Sequence, residues 1–196
     1  MTWRTHVAGG VASLWSLRPL LEPNSTFASL PDWDGANFGM LALVAGLGAL
    51  LPDLDAKGSA AKYLSFNVTL GGIRFPVTPL FIPAILLHRA LGHRGFLHSL
   101  LGFAAFALII GVPVAWFLSA PAAVALLLGW ASHLVLDACT KSGVPLWWPR
   151  KRRVHLLPPV LRVTTGSDAE GLALALLAVA ALALLLCALP VSAKTW

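Results

Sequence analysis

Charged residues are scarce in this sequence. Aspartate, glutamate, lysine and arginine make up 11% of the 196 residues, whereas about 25% is usual in soluble domains. Hydrophobic residues make up 58%, and the mean hydropathy is +0.80. This composition excludes both an ordinary soluble domain and an intrinsically disordered chain. The length leaves no room for a soluble enzyme domain beside a membrane anchor. Any chemistry must therefore be carried out by the membrane-embedded part of the chain.

Cysteine is almost absent. Cys139 and Cys187 lie in or beside apolar stretches and lack the spacing of a metal site, which indicates packing roles rather than a disulfide or ligands. The N-terminus has no long apolar core behind a basic start, so we expect no cleavable signal peptide.

Long apolar runs, in contrast, recur along the chain. A straight helix needs about 20 apolar residues to cross a bilayer. The runs predict an all-α fold, a polytopic transmembrane helical bundle with about five spans. The expected spans are residues 7–21, 36–51, 99–120, 121–138 and 171–191. Residues 77–87 are too short to cross and carry prolines, which predicts a re-entrant or interfacial segment.

We expect a single integral membrane domain over residues 1–196. Within it, the sequence predicts a metal-site bundle over 1–150, a basic cytoplasmic loop over 151–170 and a C-terminal transmembrane helix over 171–191. Ser167 and Glu170 have the spacing of a capping box at the start of that helix. A structural role therefore explains Asp168 and Glu170, and we do not expect them to be catalytic.

The net charge of +6 fits membrane topology better than nucleic-acid binding. Lys141 and the run Arg150 to Arg153 follow the span that ends at residue 138, which places that end in the cytoplasm. Alternation of the spans then puts every lysine and arginine except Arg18 and Lys194 on the cytoplasmic side. Lipid headgroups and topology explain the basic run, so we expect a membrane-lipid partner and no direct nucleic-acid partner.

The ionisable residues of so apolar a chain are the candidates for chemistry, because charge at membrane depth is costly. His133 and Asp137 are four residues apart, so on a helix they project from one face and can bind a single ion. A buried hydrogen-bonded pair is an equally good interpretation of that spacing.

Asp53 and Asp55 follow an apolar helix through Pro52, which predicts a turn at a helix end. Two carboxylates in such a turn can both bind one cation. Helix capping, or neutralisation by Lys57, is the alternative interpretation.

His93 and His98 are five residues apart and would not converge on a continuous helix. Gly95 between them allows a break, so that His93 lies in a loop and His98 begins the next span. Arg94 at the same position suits an anionic substrate, although a solvated loop with incidental histidines is the alternative. His6, by itself, is more often structural.

Topology brings these residues together. The arrangement derived from charge alone puts all of them at cytoplasmic ends of spans. Imidazole and carboxylate ligands together are typical of zinc, manganese or iron, and there are enough here for two ions. The predicted ligands are His6, Asp53, Asp55, His93, His98, His133 and Asp137.

The order of these motifs resembles a family of inner-membrane metal-dependent hydrolases described as LexA-binding. The matching patterns, over roughly residues 1–150, are THxxxG at Thr5, His6 and Gly9; LPDxD at Leu51 to Asp55; HRGxxHS at His93 to Ser99; HxxxD at His133 and Asp137; and TxxGxxxxWP at Thr140 to Pro149. The resemblance implies metal ligation by the histidines and aspartates, a multi-pass protein of the bacterial inner membrane and a LexA-type repressor as partner. A looser likeness to the zinc-dependent phospholipase C and single-strand nuclease superfamily favours a phosphoester substrate.

These observations predict a metal-dependent hydrolase. One or two divalent ions, zinc first and manganese, iron or magnesium as alternatives, activate water. Arg94 holds a substrate oxyanion, and Asp53 or Asp55 accepts the proton of the water. The headgroup depth of the site favours an anionic lipid or lipid-linked phosphoester. The alternatives are a structural metal in a protein that binds a cytoplasmic repressor and, ranked last, a metal or proton transporter.

Overall fold

The computed structural model describes residues 1–21, 38–55, 66–70, 73–77 and 95–188. Helices dominate this part of the chain. They are α1 (Trp3–Leu21), α2 (Phe38–Leu50) with a 3₁₀ turn at Leu51–Asp55, a 3₁₀ turn at Phe96–His98, α3 (Leu100–Phe117), α4 (Ala120–Ala138), a 3₁₀ turn at Pro159–Leu161, and α5 (Asp168–Ala188).

Serine caps begin the two central helices. The Ser99 hydroxyl accepts a hydrogen bond from the Gly102 N–H at the start of α3, 3.0 Å away. Ser119 caps α4 in the same way, and Pro121 occupies its first turn, where a missing N–H costs nothing. Inside α3, Ala107–Gly111 winds as a π-helix before the α-helix resumes.

Two helices of the described residues, α3 and α4, are long and apolar enough to cross a membrane. They confirm the helices predicted at 99–120 and 121–138. Helix α1 covers the predicted 7–21 and extends it to Trp3, while α2 has 13 residues, fewer than a straight span requires. Helix α5 covers most of the predicted 171–191. The five-span bundle remains a prediction.

Large apolar side chains lie on the outside of the bundle. Leu108, Ile109 and Trp116 of α3 are exposed, as are Leu172 and Leu176 of α5. A water-soluble protein rarely leaves so extended an apolar surface uncovered. Contact with lipid is the ordinary explanation for such a surface on a chain of this composition.

Helices α1, α2 and α4 pack around the core residues Leu14, Trp15, Leu41, Ala45 and Ala125. The backbones of α2 and α4 approach closely at two glycines. A Cβ atom at Gly129 would lie 1.9 Å from the Ala45 carbonyl oxygen, and one at Gly48 would lie 2.1 Å from the Leu126 carbonyl oxygen. Only glycine fits at either contact.

The predicted helical fold is confirmed for the described residues, apart from one hairpin that was not predicted. Phe66–Leu70 and Ile73–Val77 form an antiparallel hairpin, in which Leu70 faces Ile73 and Phe66 faces Val77. The sequence supplies two glycines for the connection and strand-forming aromatic and branched residues on both sides. Apart from Val77, the predicted re-entrant segment lies outside the described residues.

The segment after α4 folds back on the end of that helix. Val144 pairs with Val154 in an antiparallel bridge, and Thr140 pairs with Val163 in a parallel one. The Leu156 N–H donates to the Ala138 carbonyl oxygen, 2.9 Å away. The basic stretch predicted as a loop is therefore attached to the end of α4 by backbone hydrogen bonds.

Candidate metal centre

Five predicted ligands meet in one cluster that four parts of the chain build. The three imidazoles are completely buried and so is the carboxylate of α4, whereas the Asp53 side chain is 22% exposed. The members are His6 in α1, Asp53 in the turn after α2, His98 in the turn before α3, and His133 and Asp137 in α4.

The donor atoms of the cluster are closely spaced. His98 Nε2 lies 3.3 Å from His133 Nε2 and 3.3 Å from Asp53 Oδ1. His6 Nε2 lies 3.3 Å from Asp137 Oδ1. The Asp137 Oδ2 atom lies 3.8 Å from His98 Nε2 and 3.9 Å from His133 Nε2.

This spacing fits ligands of one ion better than direct hydrogen bonds. Two nitrogen ligands of a tetrahedral zinc ion, each about 2.0–2.1 Å from the metal, lie roughly 3.3–3.4 Å apart. N–H···O hydrogen bonds are usually 2.7–3.2 Å long, so the separations of 3.3 Å and above exceed that range. Three imidazoles and two carboxylates form the mixed nitrogen and oxygen set that suits zinc, manganese or iron.

His133 is oriented by the main chain of the neighbouring helix. Its Nδ1 atom donates to the Ala49 carbonyl oxygen, 2.7 Å away. A carbonyl oxygen only accepts, so the proton of a neutral His133 ring belongs on Nδ1 and the lone pair on Nε2 points into the cluster. The ring also stacks on His6, with centroids 3.6 Å apart.

The described ligands form two overlapping groups of three. His6, Asp53 and His133 have donor atoms within 4.8 Å of one another, and so have His98, His133 and Asp137. Because Ala49 occupies the other nitrogen of His133, only Nε2 is left to bind an ion. His133 can therefore bind an ion in only one of the two groups at a time.

The Nδ1 atom of His6 is buried and has no hydrogen-bond partner among the described residues. The Met1 α-amino group donates to Asp137 Oδ1, 2.6 Å away, the same oxygen atom that lies 3.3 Å from His6 Nε2. Sequence reasoning missed this contact, because a main-chain amine carries no residue signature.

Asp53 is the most accessible member of the cluster. Burial raises the pKa of its carboxyl group, but the adjacent His98, with Nε2 3.3 Å from Oδ1, and the nearby His133 and His6 rings lower it more. The pKa therefore lies well below its usual range, and the group is ionised at neutral pH. An ionised, partly exposed carboxylate suits both ligation and proton acceptance.

Three predicted site residues have no described side chain. The backbone of Asp55 belongs to the turn Leu51–Asp55, but its side chain is not among the described parts of the structure. His93 and Arg94 lie outside the described residues altogether. Their predicted roles, ligation for Asp55 and His93 and substrate binding for Arg94, remain predictions.

Glu170 has a role that the sequence did not indicate. Its buried carboxylate accepts hydrogen bonds from the Thr5 hydroxyl at 2.8 Å, from the Gly166 N–H at 2.7 Å, and from the Thr2 N–H. The capping-box prediction was wrong, because Ser167 Oγ donates to the Thr164 carbonyl oxygen instead. Glu170 thus connects α5 to the first turn of α1, directly before His6.

The fold and the cluster together define an apolar helical membrane protein with a buried site of three histidines and two aspartates. Comparison with known proteins gives the family. The chain belongs to the YdjM inner membrane protein family, whose model matches residues 1–194.

Curated relatives agree with this assignment. Inner membrane protein YdjM of Escherichia coli K12 and that of Shigella flexneri are each 45% identical over 132 residues, covering 63% of this chain and 56% of the relative. The chain thus matches little more than half the length of these two proteins. The uncharacterized protein YvsG of Bacillus subtilis is 32% identical over 176 residues, which cover 89% of this chain and 88% of YvsG. No solved structure matches the chain significantly.

Proposed function

We propose that this protein is a metal-dependent hydrolase of the inner membrane that cleaves a phosphoester in a lipid or lipid-linked substrate. The observation that supports this proposal is the convergence of His6, His98, His133, Asp53 and Asp137, with donor atoms at ligand spacing. Burying this many ionisable groups costs stability, and an ion bound by their donor atoms would offset that cost.

The ligands and the proton acceptor have different surroundings. His6, His98, His133 and Asp137 are buried and hold the ion, which when bound supplies a water activated near neutral pH and polarises the scissile bond. Asp53 is the accessible carboxylate and accepts the proton of the attacking water. The depressed pKa of Asp53 keeps it in the basic form, although it makes the carboxylate a weak base.

A lipid substrate is favoured by a groove beside the cluster. The groove has a volume of about 490 Å³, lies between α1, α4 and α5, and is almost entirely apolar. Gly9, Ser132 and Leu136 line it, one turn or less along the chain from His6, His133 and Asp137. An acyl chain in this groove would leave its headgroup beside the ion, as a lipid phosphoester requires.

One observation favours a second candidate function. All four of the proposed ligands are completely buried, and structural metal sites are typically closed, whereas catalytic sites keep an open position. In that case the ion stabilises the bundle, and the cytoplasmic face binds a protein partner such as a LexA-type repressor.

One set of measurements distinguishes the two functions. Detergent-purified protein is analysed for bound metals and assayed on phosphodiester and phosphomonoester model substrates, before and after chelation and metal return. We expect about one divalent ion per chain, with hydrolysis lost on chelation and restored by the metal. Wild-type protein that retains one ion and hydrolyses neither substrate, nor a lipid phosphoester, would support the structural role.

Three variants make the test specific. His98→Ala and Asp137→Ala should lose most of the bound metal, whereas Asp53→Asn should keep the metal and lose about 10²-fold or more in hydrolysis, the usual effect of removing a general base. His155→Ala is the matched control, because His155 lies in the segment after α4, where Nε2 contacts the Lys141 carbonyl oxygen. Retained metal and retained hydrolysis in His98→Ala and Asp137→Ala would refute the assignment.

A further inference from the structure

A second pocket lies in the segment that follows α4, outside the metal centre. Its volume is about 460 Å³. Three arginines and one histidine line it together with an exposed tryptophan. The lining residues are Trp147, Arg152, Arg153, Val154, His155 and Arg162.

Two of the guanidinium groups are held in place by main-chain carbonyl groups. Arg153 Nη1 donates to the Ser142 carbonyl oxygen at 3.1 Å. Arg162 Nε donates to the Leu157 carbonyl oxygen at 3.0 Å. A guanidinium group has five N–H donors in a fixed plane, so each arginine keeps further donors for a ligand. The donors are therefore oriented before a ligand arrives.

The positive charge of this pocket has no counter-charge nearby in the chain. The sequence contains no aspartate or glutamate between Asp137 and Asp168. Within the part of the chain that the structure describes, none of the ion pairs involves these arginines. An anion from outside is the natural partner, and phosphate matches the planar donors of arginine.

Exposed apolar side chains lie in the same segment of the chain. Trp147 lines the pocket and is exposed; Leu156 and Leu161 are exposed and directly follow or precede the lining residues His155 and Arg162, and the neighbouring Val160 is 89% exposed. Exposed apolar residues next to cations are typical of a surface in the membrane interface, where an aromatic belt also occurs. A free phosphate or a nucleic acid backbone gives these side chains nothing to contact.

The attachment of the segment fixes its depth. The Leu156 N–H donates to the Ala138 carbonyl oxygen, the last residue of α4, and the Leu100 N–H donates to the Leu146 carbonyl oxygen. Both contacts are made at ends of the two helices that are long and apolar enough to span. The pocket therefore lies at the level of the lipid headgroups.

From these observations we propose that the pocket binds the headgroup phosphate of an anionic phospholipid. Arg152, Arg153 and Arg162 bind the phosphate, while Val160 and Leu161 enter the upper part of the acyl region. This site is separate from the metal centre and does not depend on hydrolysis.

The experiment uses the full chain in detergent and counts bound lipids by native mass spectrometry. Phosphatidylglycerol and phosphatidylcholine are titrated in parallel. We expect the wild type to retain phosphatidylglycerol and to lose phosphatidylcholine. The variant R152Q/R153Q/R162Q should bind phosphatidylglycerol about tenfold or more weakly, since each basic residue near an anionic headgroup contributes to affinity.

K151Q is the matched control, because Lys151 belongs to the same basic run but does not line the pocket. It should change the affinity less than the triple variant does. V160S/L161S keeps every charge and should also weaken phosphatidylglycerol binding. Metal content measured on all variants reports folding separately, and it should equal that of the wild type.

Competition identifies the source of the phosphate. Inorganic phosphate and glycerol 3-phosphate should displace the lipid only at concentrations far above that of the lipid itself. Equal binding of both lipids, unchanged binding by the triple variant, or efficient displacement by inorganic phosphate would overturn the proposal. Tighter binding of single-stranded DNA than of phosphatidylglycerol would also overturn it.

Discussion

His133 in α4 donates a hydrogen bond from Nδ1 to the Ala49 carbonyl oxygen in α2, at 2.7 Å. This bond depends on how closely the two helices approach. One turn earlier on each helix, Gly129 packs against the Ala45 carbonyl oxygen without space for a side chain. The glycine contact therefore sets the helix separation that orients His133, a predicted metal ligand, one turn away.

Gly129→Val should disturb the metal centre without changing any ligand. A side chain at this position collides with the main chain of α2, and overpacking of a core usually costs about 1–3 kcal/mol. We expect a lower midpoint of thermal unfolding and a bound-metal content clearly below that of the wild type, both measured in detergent.

Gly171→Ala provides the comparison for that variant. A Cβ atom at Gly171, in the first turn of α5, meets no other atom within 4 Å. Alanine there should leave metal content unchanged and stabilise the helix by about 0.5–1 kcal/mol. Equal metal content in Gly129→Val and Gly171→Ala would show that the helix contact does not position His133.

Chelation should destabilise the protein. An ion that binds only the folded state stabilises it by about 2.7 kcal/mol when its concentration is a hundred times its dissociation constant. For a chain of this size that corresponds to a fall of roughly 5–10 °C in unfolding temperature. His98→Ala should already have the lower unfolding temperature without chelator, and adding the chelator should change that temperature little. A chelator response in His98→Ala as large as that of the wild type would argue against ligation by His98.

Glu170 should make stability depend on pH. Burial raises the pKa of its carboxyl group, but the hydrogen bonds from Gly166, Thr2 and Thr5 lower it below the ordinary value near 4.5. Because the pKa of Glu170 is lower in the folded state than in the unfolded state, its ionised carboxylate adds to the free energy of unfolding. This contribution is complete above pH 4.5 and is lost as the pH falls through the folded-state pKa.

Glu170→Gln tests this dependence. At pH 7 it should destabilise the protein by about 1–3 kcal/mol, because the donors lose a charged acceptor. The difference from wild type should shrink as the pH is lowered below 4.5, which unfolding measured from pH 7 to pH 4 would detect. A constant difference over that range would show that the ionised form of Glu170 is not what stabilises the contact.

Ser99→Ala should weaken the start of α3 next to His98. The hydroxyl accepts from the Gly102 N–H and donates to the Phe96 carbonyl oxygen, 2.6 Å away. Loss of a serine cap costs about 0.5–2 kcal/mol, so unfolding should shift while the ligands stay present. Ser119→Ala removes the equivalent cap of α4, farther from the cluster, and should affect metal content less than Ser99→Ala.

The sequence predicted the members of the cluster because their signals are local. The i, i+4 spacing of His133 and Asp137 and the Pro-Asp turn at Asp53 follow from helix geometry alone. Gly95 correctly predicted a break before His98, which lies in a 3₁₀ turn between the glycine and the Ser99 cap. The uneven distribution of lysine and arginine then predicted that these residues, although far apart in sequence, lie at the same side of the membrane.

The rest of the site carries no such signal. The Ala49 carbonyl oxygen is present in every residue type, so no pattern points to it. Glu170 was assigned to local capping, since its contacts with Thr2 and Thr5 cross almost the whole chain. The hairpin at Phe66–Val77 was missed because apolar runs were assessed by whether they could span a bilayer. Short strands of aromatic and branched residues on either side of a turn were not considered.

The chain order of the ligands has a consequence for biogenesis. The first turns of α1 carry His6, and the last turn of α4 carries Asp137. While α3 is still being synthesised, the nascent chain carries only His6, Asp53 and His98 of the five cluster residues. For the ion proposed above, loading is therefore expected only after α4 has been synthesised and has packed against α1.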